Sequence, residues 1–119
     1  MLTVYGIKQC DTVRKALKWL DQQGIEHRFH DFRTDGLQAE LLQDWLDSEF
    51  ASKLVNRRST TWRQLSEAQR QFEGEALLNL LMEHPTLIKR PVFVTDQIIA
   101  VGFNPAELES KVLGGINYG

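Results

Sequence analysis

The chain is 119 residues long, room for one domain at the usual size of about 150 residues and enough to bury a core without disulfide or metal staples. Hydrophobic residues make up 42% and charged residues 25%, the balance of a folded globular protein, which excludes both disorder and multidomain machinery. Fourteen Lys and Arg against sixteen Asp and Glu leave a net charge of −2, so no chain-wide field draws nucleic acid or an anionic membrane, and any anion site has to be local.

Leu2 to Tyr5 is a short β-prone run ended by Gly6, and a turn through Lys8, Gln9 and Cys10 follows it. Val13, Ala16, Leu17 and Leu20 then fall at helical spacing, which predicts a helix with one buried face, capped by Asp11 or Thr12 and ending near Gly24. His27 to Phe32 alternates as a second strand, with Phe29 and then His27 and Asp31 assigned to one face. A strand, helix and strand within about 30 residues form a βαβ unit with parallel strands.

After the turn signal Thr34-Asp35-Gly36, the residues Leu37, Leu41, Leu42, Trp45 and Leu46 predict a helix over Gln38 to Ser48. Asn56 to Arg63 reads as an exposed connection. Glu75 to His84 reads as a helix buried on several sides, because Ala76 to Met82 is apolar except at Asn79, and Pro85 stops it. Val92 to Val94 and Ile98 to Val101 predict an antiparallel hairpin. Pro105 opens a last helix with Leu108, Val112 and Leu113 facing inward, and Gly114, Gly115 and Gly119 read as a mobile tail. The order βαβ, helical middle, ββα predicts a single α/β domain over residues 1–119, with a four-stranded mixed sheet and a helical insertion at about 37–84.

Chemistry centres on the one cysteine. Its solitude removes every intramolecular disulfide and every multi-cysteine zinc site, and a free thiol suits a reducing compartment. The start MLTVYG lacks the basic region and apolar core of a signal peptide, and no apolar run approaches the roughly 20 residues of a membrane span, so a cytoplasmic location is expected. A lone cysteine is more often a small buried hydrophobe than a nucleophile. Cys10, however, lies where a strand gives way to a helix, beside unpaired backbone N–H groups and the positive end of a helix dipole. A thiol in such a place, or beside cations, ionises more readily than a free cysteine with its pKa near 8.5. Lys8, Thr12 and Arg14 are the candidate groups that stabilise the thiolate, while Asp11 opposes it.

Val13 stands where a CxxC motif would put its second cysteine, so a resolving thiol has to come from outside, and glutathione or a glutaredoxin-like protein is the expected source. The cluster Arg57, Arg58 and Arg63 reads first as a solvated surface, and one neighbouring aromatic, Trp62, is thin support for nucleic acid. His27 and His30 point to opposite faces of a strand, poor geometry for a shared metal, so no metal site is expected.

Three segments, YGIKQCDTVRKA (Tyr5 to Ala16), NRRSTTWRQL (Asn56 to Leu65) and HPTLIKRPVFV (His84 to Val94), together resemble the arsenate reductase ArsC/Spx/YffB family, most closely its YffB-like branch. The resemblance implies a thioredoxin-like fold with a helical insertion between its halves. It also implies that Cys10 is the nucleophile, that Pro91 is a cis-proline with Arg90 before it, and that Arg57 lies at or next to a further anion-binding arginine. Asn104 stands before Pro105 where arsenate reductases place a third arginine, which weakens an oxyanion site for arsenate and leaves the thiol chemistry intact. Val13 breaks the CxxC of the family's redox-sensing regulators.

The expected function is a cytoplasmic thiol oxidoreductase, glutathione-dependent, acting on a small anionic or disulfide substrate with no bound cofactor. Cys10 would attack, Arg57, Arg90 and Pro91 would hold the anionic group, and an external thiol would resolve the adduct. The rival reading is a non-catalytic module of the Spx type that docks on RNA polymerase.

Overall fold

The computed structural model describes residues 1–117, with side chains described for residues 1–112. The chain divides into two compact units, Met1–Asp31 with Arg90–Gly119, and Phe32–Lys89.

The first unit contains β1 (Leu2–Gly6), α1 (Asp11–Gln22), β2 (His27–Asp31), β3 (Val92–Val94), β4 (Ile98–Val101) and α6 (Pro105–Asn117). Its four strands form one mixed sheet in the order β2-β1-β3-β4. β1 runs parallel to β2, from Leu2 opposite His27 to Gly6 opposite Asp31, and antiparallel to β3, with Tyr5 opposite Val92. The β3–β4 pair is antiparallel as the apolar runs predict, with a bulge that shifts the register between Phe93 and Val94.

Alternation along β1 buries Leu2, Val4 and Gly6 on one face. Onto it pack Ala16 and Leu20 of α1 and Leu108 of α6, in one cluster with Phe93 and Ala100. Helix α1 ends where Gly24 takes φ +68°. The Gly24 N–H donates to Asp21 O and the Ile25 N–H to Leu20 O, which closes the helix as a Schellman motif. Ile25 then packs into the same cluster.

Helix α1 approaches β1 closely. A Cβ placed on Gly6 would lie 2.7 Å from a Val13 methyl carbon, and Val13 is fully buried, so only glycine fits at the end of the strand.

The second unit is helical: α2 (Ala39–Leu46), α3 (Ala51–Leu54), α4 (Thr60–Gln64) and α5 (Gly74–Glu83), with 3-10 turns at Gln69–Gln71 and Pro85–Leu87. Leu42, Trp45, Leu54, Leu81, Leu87 and Ile88 are its most deeply buried residues. It reaches beyond 37–84 at both ends. Phe32 packs its ring 6.3 Å from Trp45, and the Lys89 N–H donates to Leu54 O at 2.7 Å.

Three expectations are corrected. Asn56 to Arg63 is not simply a connection, because Ser59 Oγ accepts the Trp62 N–H at 3.1 Å and starts α4 at Thr60. Helix α5 buries only Leu80 and Leu81, leaving Ala76 exposed, since the unit packs against the C-terminal half of that helix. Finally, α6 continues through Gly114 and Gly115, so the glycines there do not begin a tail; the Leu113 side chain and Gly119 lie outside the described residues.

The Gly6 contact makes a prediction. Gly6→Ala should destabilise the protein by about 1–3 kcal/mol through overpacking against Val13, read as a lower urea midpoint with an unchanged slope. An unchanged midpoint would show that α1 does not need this approach.

Candidate active site

The turn between β1 and α1 is short, and two of its backbone N–H groups are held. The Cys10 N–H donates to Ile7 O at 3.0 Å, and the Lys8 N–H donates to Asp31 Oδ2 at 2.9 Å. Cys10 itself is the N-cap of α1. Its backbone is extended (φ −80°, ψ 124°), its carbonyl accepts the Arg14 N–H at 3.0 Å, and its side chain makes no capping bond. The expected caps, Asp11 and Thr12, are instead the first two helical residues, because the bond from Cys10 to Ile7 makes Cys10 the last extended residue before the helix. The thiol is half-exposed, at a helix start whose first N–H groups have no intrahelical acceptor.

The charged neighbours are arranged unevenly. Lys8 and Thr12 are exposed. Arg14 turns to Asp11, with Nη2 2.7 Å from the carboxylate Oδ1, and the same nitrogen donates to Gln9 O at 3.1 Å. Arg14 therefore offsets the one carboxylate beside the cysteine and tethers the residue before it. Both partners are largely exposed, so this pair contributes only about 0–1 kcal/mol to stability.

The Arg90–Pro91 bond is cis, and Pro91 is buried with its carbonyl accepting the Gly102 N–H at 2.8 Å. Because Val92 pairs with Tyr5, Arg90 leaves β3 at the end of the sheet where Gly6 leads into the cysteine turn. Topology thus brings Cys10, Arg90 and Pro91 to one end of the two central strands. The Arg90 Nε is buried and makes no hydrogen bond. A buried donor of a cation left in this state carries its full desolvation cost, which an anionic acceptor would offset.

Asn104 has a local task. Its Oδ1 accepts the Glu107 N–H at 3.3 Å and its carbonyl accepts the Leu108 N–H at 2.9 Å, so it caps α6 where an arginine was the alternative. Arg57 belongs to the second unit, with its guanidinium 5.8 Å from the Trp62 ring. Arg70 also lies against that ring, at 6.0 Å, and donates to the carbonyls of Trp62 and Arg63.

His27 Nδ1 donates to Ile25 O at 2.8 Å, and His30 packs its ring 4.9 Å from Tyr5. Sequence reasoning missed Asp31 as part of this region. It is a buried carboxylate, 6% exposed, and its only sequence signal is an acid between His30 and Phe32 at the end of a strand. Gly6 was read only as the end of β1, since glycine carries no signal of what it leaves room for.

The βαβ and ββα halves on one mixed sheet, with a cysteine at the start of the first helix and a cis-proline before the third strand, define a thioredoxin-like protein. The chain belongs to the ArsC family, whose sequence profile matches residues 5–110. It is similar to an uncharacterized protein of Haemophilus influenzae, at 48% identity over 112 residues, covering 92% of this chain and 97% of that one. It is also similar to the regulatory protein MgsR of Bacillus subtilis, at 32% identity over 109 residues, 90% of this chain and 86% of the other. Among solved structures, a YffB protein shares 36% identity with a TM-score of 0.84, over 95% of this chain and 99% of that one. Among the described residues no helix is long and apolar enough to cross a membrane.

Tyr5 lies on β1 one residue before the strand's end. Burial pushes its hydroxyl above the ordinary 10.0, with the positive charge of Arg28 opposing. The neutral phenol is favoured by the fold, so its contribution to stability is complete below about pH 10 and is lost as the pH rises past the folded-state value. In an ultraviolet titration, the phenolate signal that Tyr5→Phe removes should have its midpoint above 10.0. A midpoint at or below that value would contradict the burial argument.

Proposed function

We propose that the protein is a thiol oxidoreductase that works with glutathione, and that Cys10 is its nucleophile. The observation that carries this reading is the half-buried cysteine at the N-cap of α1, at the end of the central strands that also leads to Arg90 with its Nε unpaired. In the first step the Cys10 thiolate attacks the glutathione sulfur of a mixed disulfide; a sulfur–sulfur bond forms to Cys10 and the substrate leaves as a thiolate. A second glutathione thiolate then attacks the adduct, releasing oxidised glutathione and restoring the Cys10 thiolate. Arg90 binds a carboxylate of the peptide or an anionic group of the substrate. Arsenate is a poorer fit, since Asn104 caps a helix where a third arginine would serve an oxyanion. A cytoplasmic location supplies the glutathione this cycle consumes.

The regulatory name of one relative favours a second reading, a binding module that docks on RNA polymerase through its surface. The two separate cleanly. Incubation with oxidised glutathione should give a Cys10 adduct by mass spectrometry that glutaredoxin removes, and Cys10→Ser should abolish both adduct and turnover. A protein that forms no adduct, and whose Cys10→Ser variant still captures polymerase, is the binding module instead.

A further inference from the structure

Among the described residues of the first unit, Asp31 is the buried ionisable side chain, 6% exposed at the last position of β2. The parallel register sets it opposite Gly6, the residue from which the chain departs toward the cysteine. From there its Oδ2 reaches across and accepts the Lys8 N–H at 2.9 Å. Lys8 and Gln9 are exposed, so no packing of their own side chains fixes the turn. What holds it on the sheet side is this bond, and what closes it is the bond from the Cys10 N–H to Ile7 O. Each constrains one end of the three residues between Ile7 and α1. A hydrogen bond from a backbone amide to a buried acceptor is costly to leave unmade, because the groups it joins have no water to replace it. An anchor that is itself buried at a strand end is rigid, the property a support for a reactive group requires.

We propose that Asp31 is a positioning residue for Cys10: by holding the Lys8 amide it sets the path of the turn and so the place of the sulfur at the start of α1. The inference rests on the reading of Cys10 as the nucleophile, although its first readout does not. Asp31 acts on Cys10 through the backbone of Lys8.

The test compares Asp31→Asn, which keeps an acceptor oxygen, with Asp31→Leu, which fills similar space without one. Three measurements are made on each: the rate of Cys10 alkylation by iodoacetamide, hydrogen exchange at the Lys8 amide, and kcat and KM with glutathione disulfides. Asp31→Leu should lose protection at the Lys8 amide and lower the alkylation rate and kcat by about 10- to 100-fold, the scale of a displacement of about 1 Å at a reacting group. Its KM should change little, and Asp31→Asn should restore most of the rate. A merely structural Asp31 would lower the melting temperature of both variants and leave alkylation and kcat as they were, which would overturn the proposal. If Asp31→Leu does not fold, Asp31→Asn alone decides through Lys8: unprotected exchange at an unaltered alkylation rate also overturns it. Failure of the broader reading looks different, because the unaltered protein would then form no glutathione adduct at all.

Discussion

Where β1 meets α1, a Val13 methyl group occupies the space that any side chain at position 6 would need, and the rest of the site follows from that contact. It lets the helix begin within five residues of the strand's end, so a turn of three residues carries the chain from the buried Ile7 to the helix start. With the turn so short, Cys10 has one place to be. It is the last extended residue, its carbonyl already belongs to the helix, and its side chain stands beside N–H groups that the helix itself cannot satisfy. A longer connection would have left the thiol on a mobile loop, where neither the helix end nor the third strand could act on it.

Electrostatics around the sulfur are settled by pairing rather than by counting charges. Asp11 is adjacent to the cysteine and would penalise a thiolate, but Arg14 takes its carboxylate at 2.7 Å. The same arginine holds the carbonyl of Gln9, so one side chain both offsets a charge and steadies the turn. Arg90 is the opposite case. Its Nε is sealed from water without a hydrogen-bond acceptor. A shared end of two adjacent strands, rather than sequence proximity, relates it to Cys10: eighty residues separate the two in the chain, and the antiparallel pairing of Tyr5 with Val92 closes that gap.

Much of this was legible beforehand because it depends on local patterns. The spacing of Val13, Ala16 and Leu20 specifies a helical face, the alternation after Met1 specifies a strand, and the apolar runs at Val92 and Ile98 specify a hairpin; each appears at nearly the expected residues. The region around Ser59 shows where local reasoning stops. Thr60 and Thr61 are poor helix formers and the arginines look solvated, yet the Ser59 cap and the Thr61 hydroxyl, bonded to Thr86 at 2.7 Å, make a short helix there. That second bond joins residues far apart in sequence, and no pattern near either of them announces it.

The amino-acid order by itself determined the element types of the first unit, the lone thiol and its place between a strand and a helix, since these depend on periodicity, turn residues and composition. It did not determine which residue caps α1, that Arg14 serves Asp11, that Asn104 serves α6, or that a carboxylate on β2 grips the amide of Lys8. The last of these waits on the strand register that sets Asp31 opposite Gly6, whereas the first three are local contacts decided by where each helix begins. Hydrogen bonds and ion pairs act over only a few ångströms, so partners distant along the chain become partners only once the sheet has set them side by side.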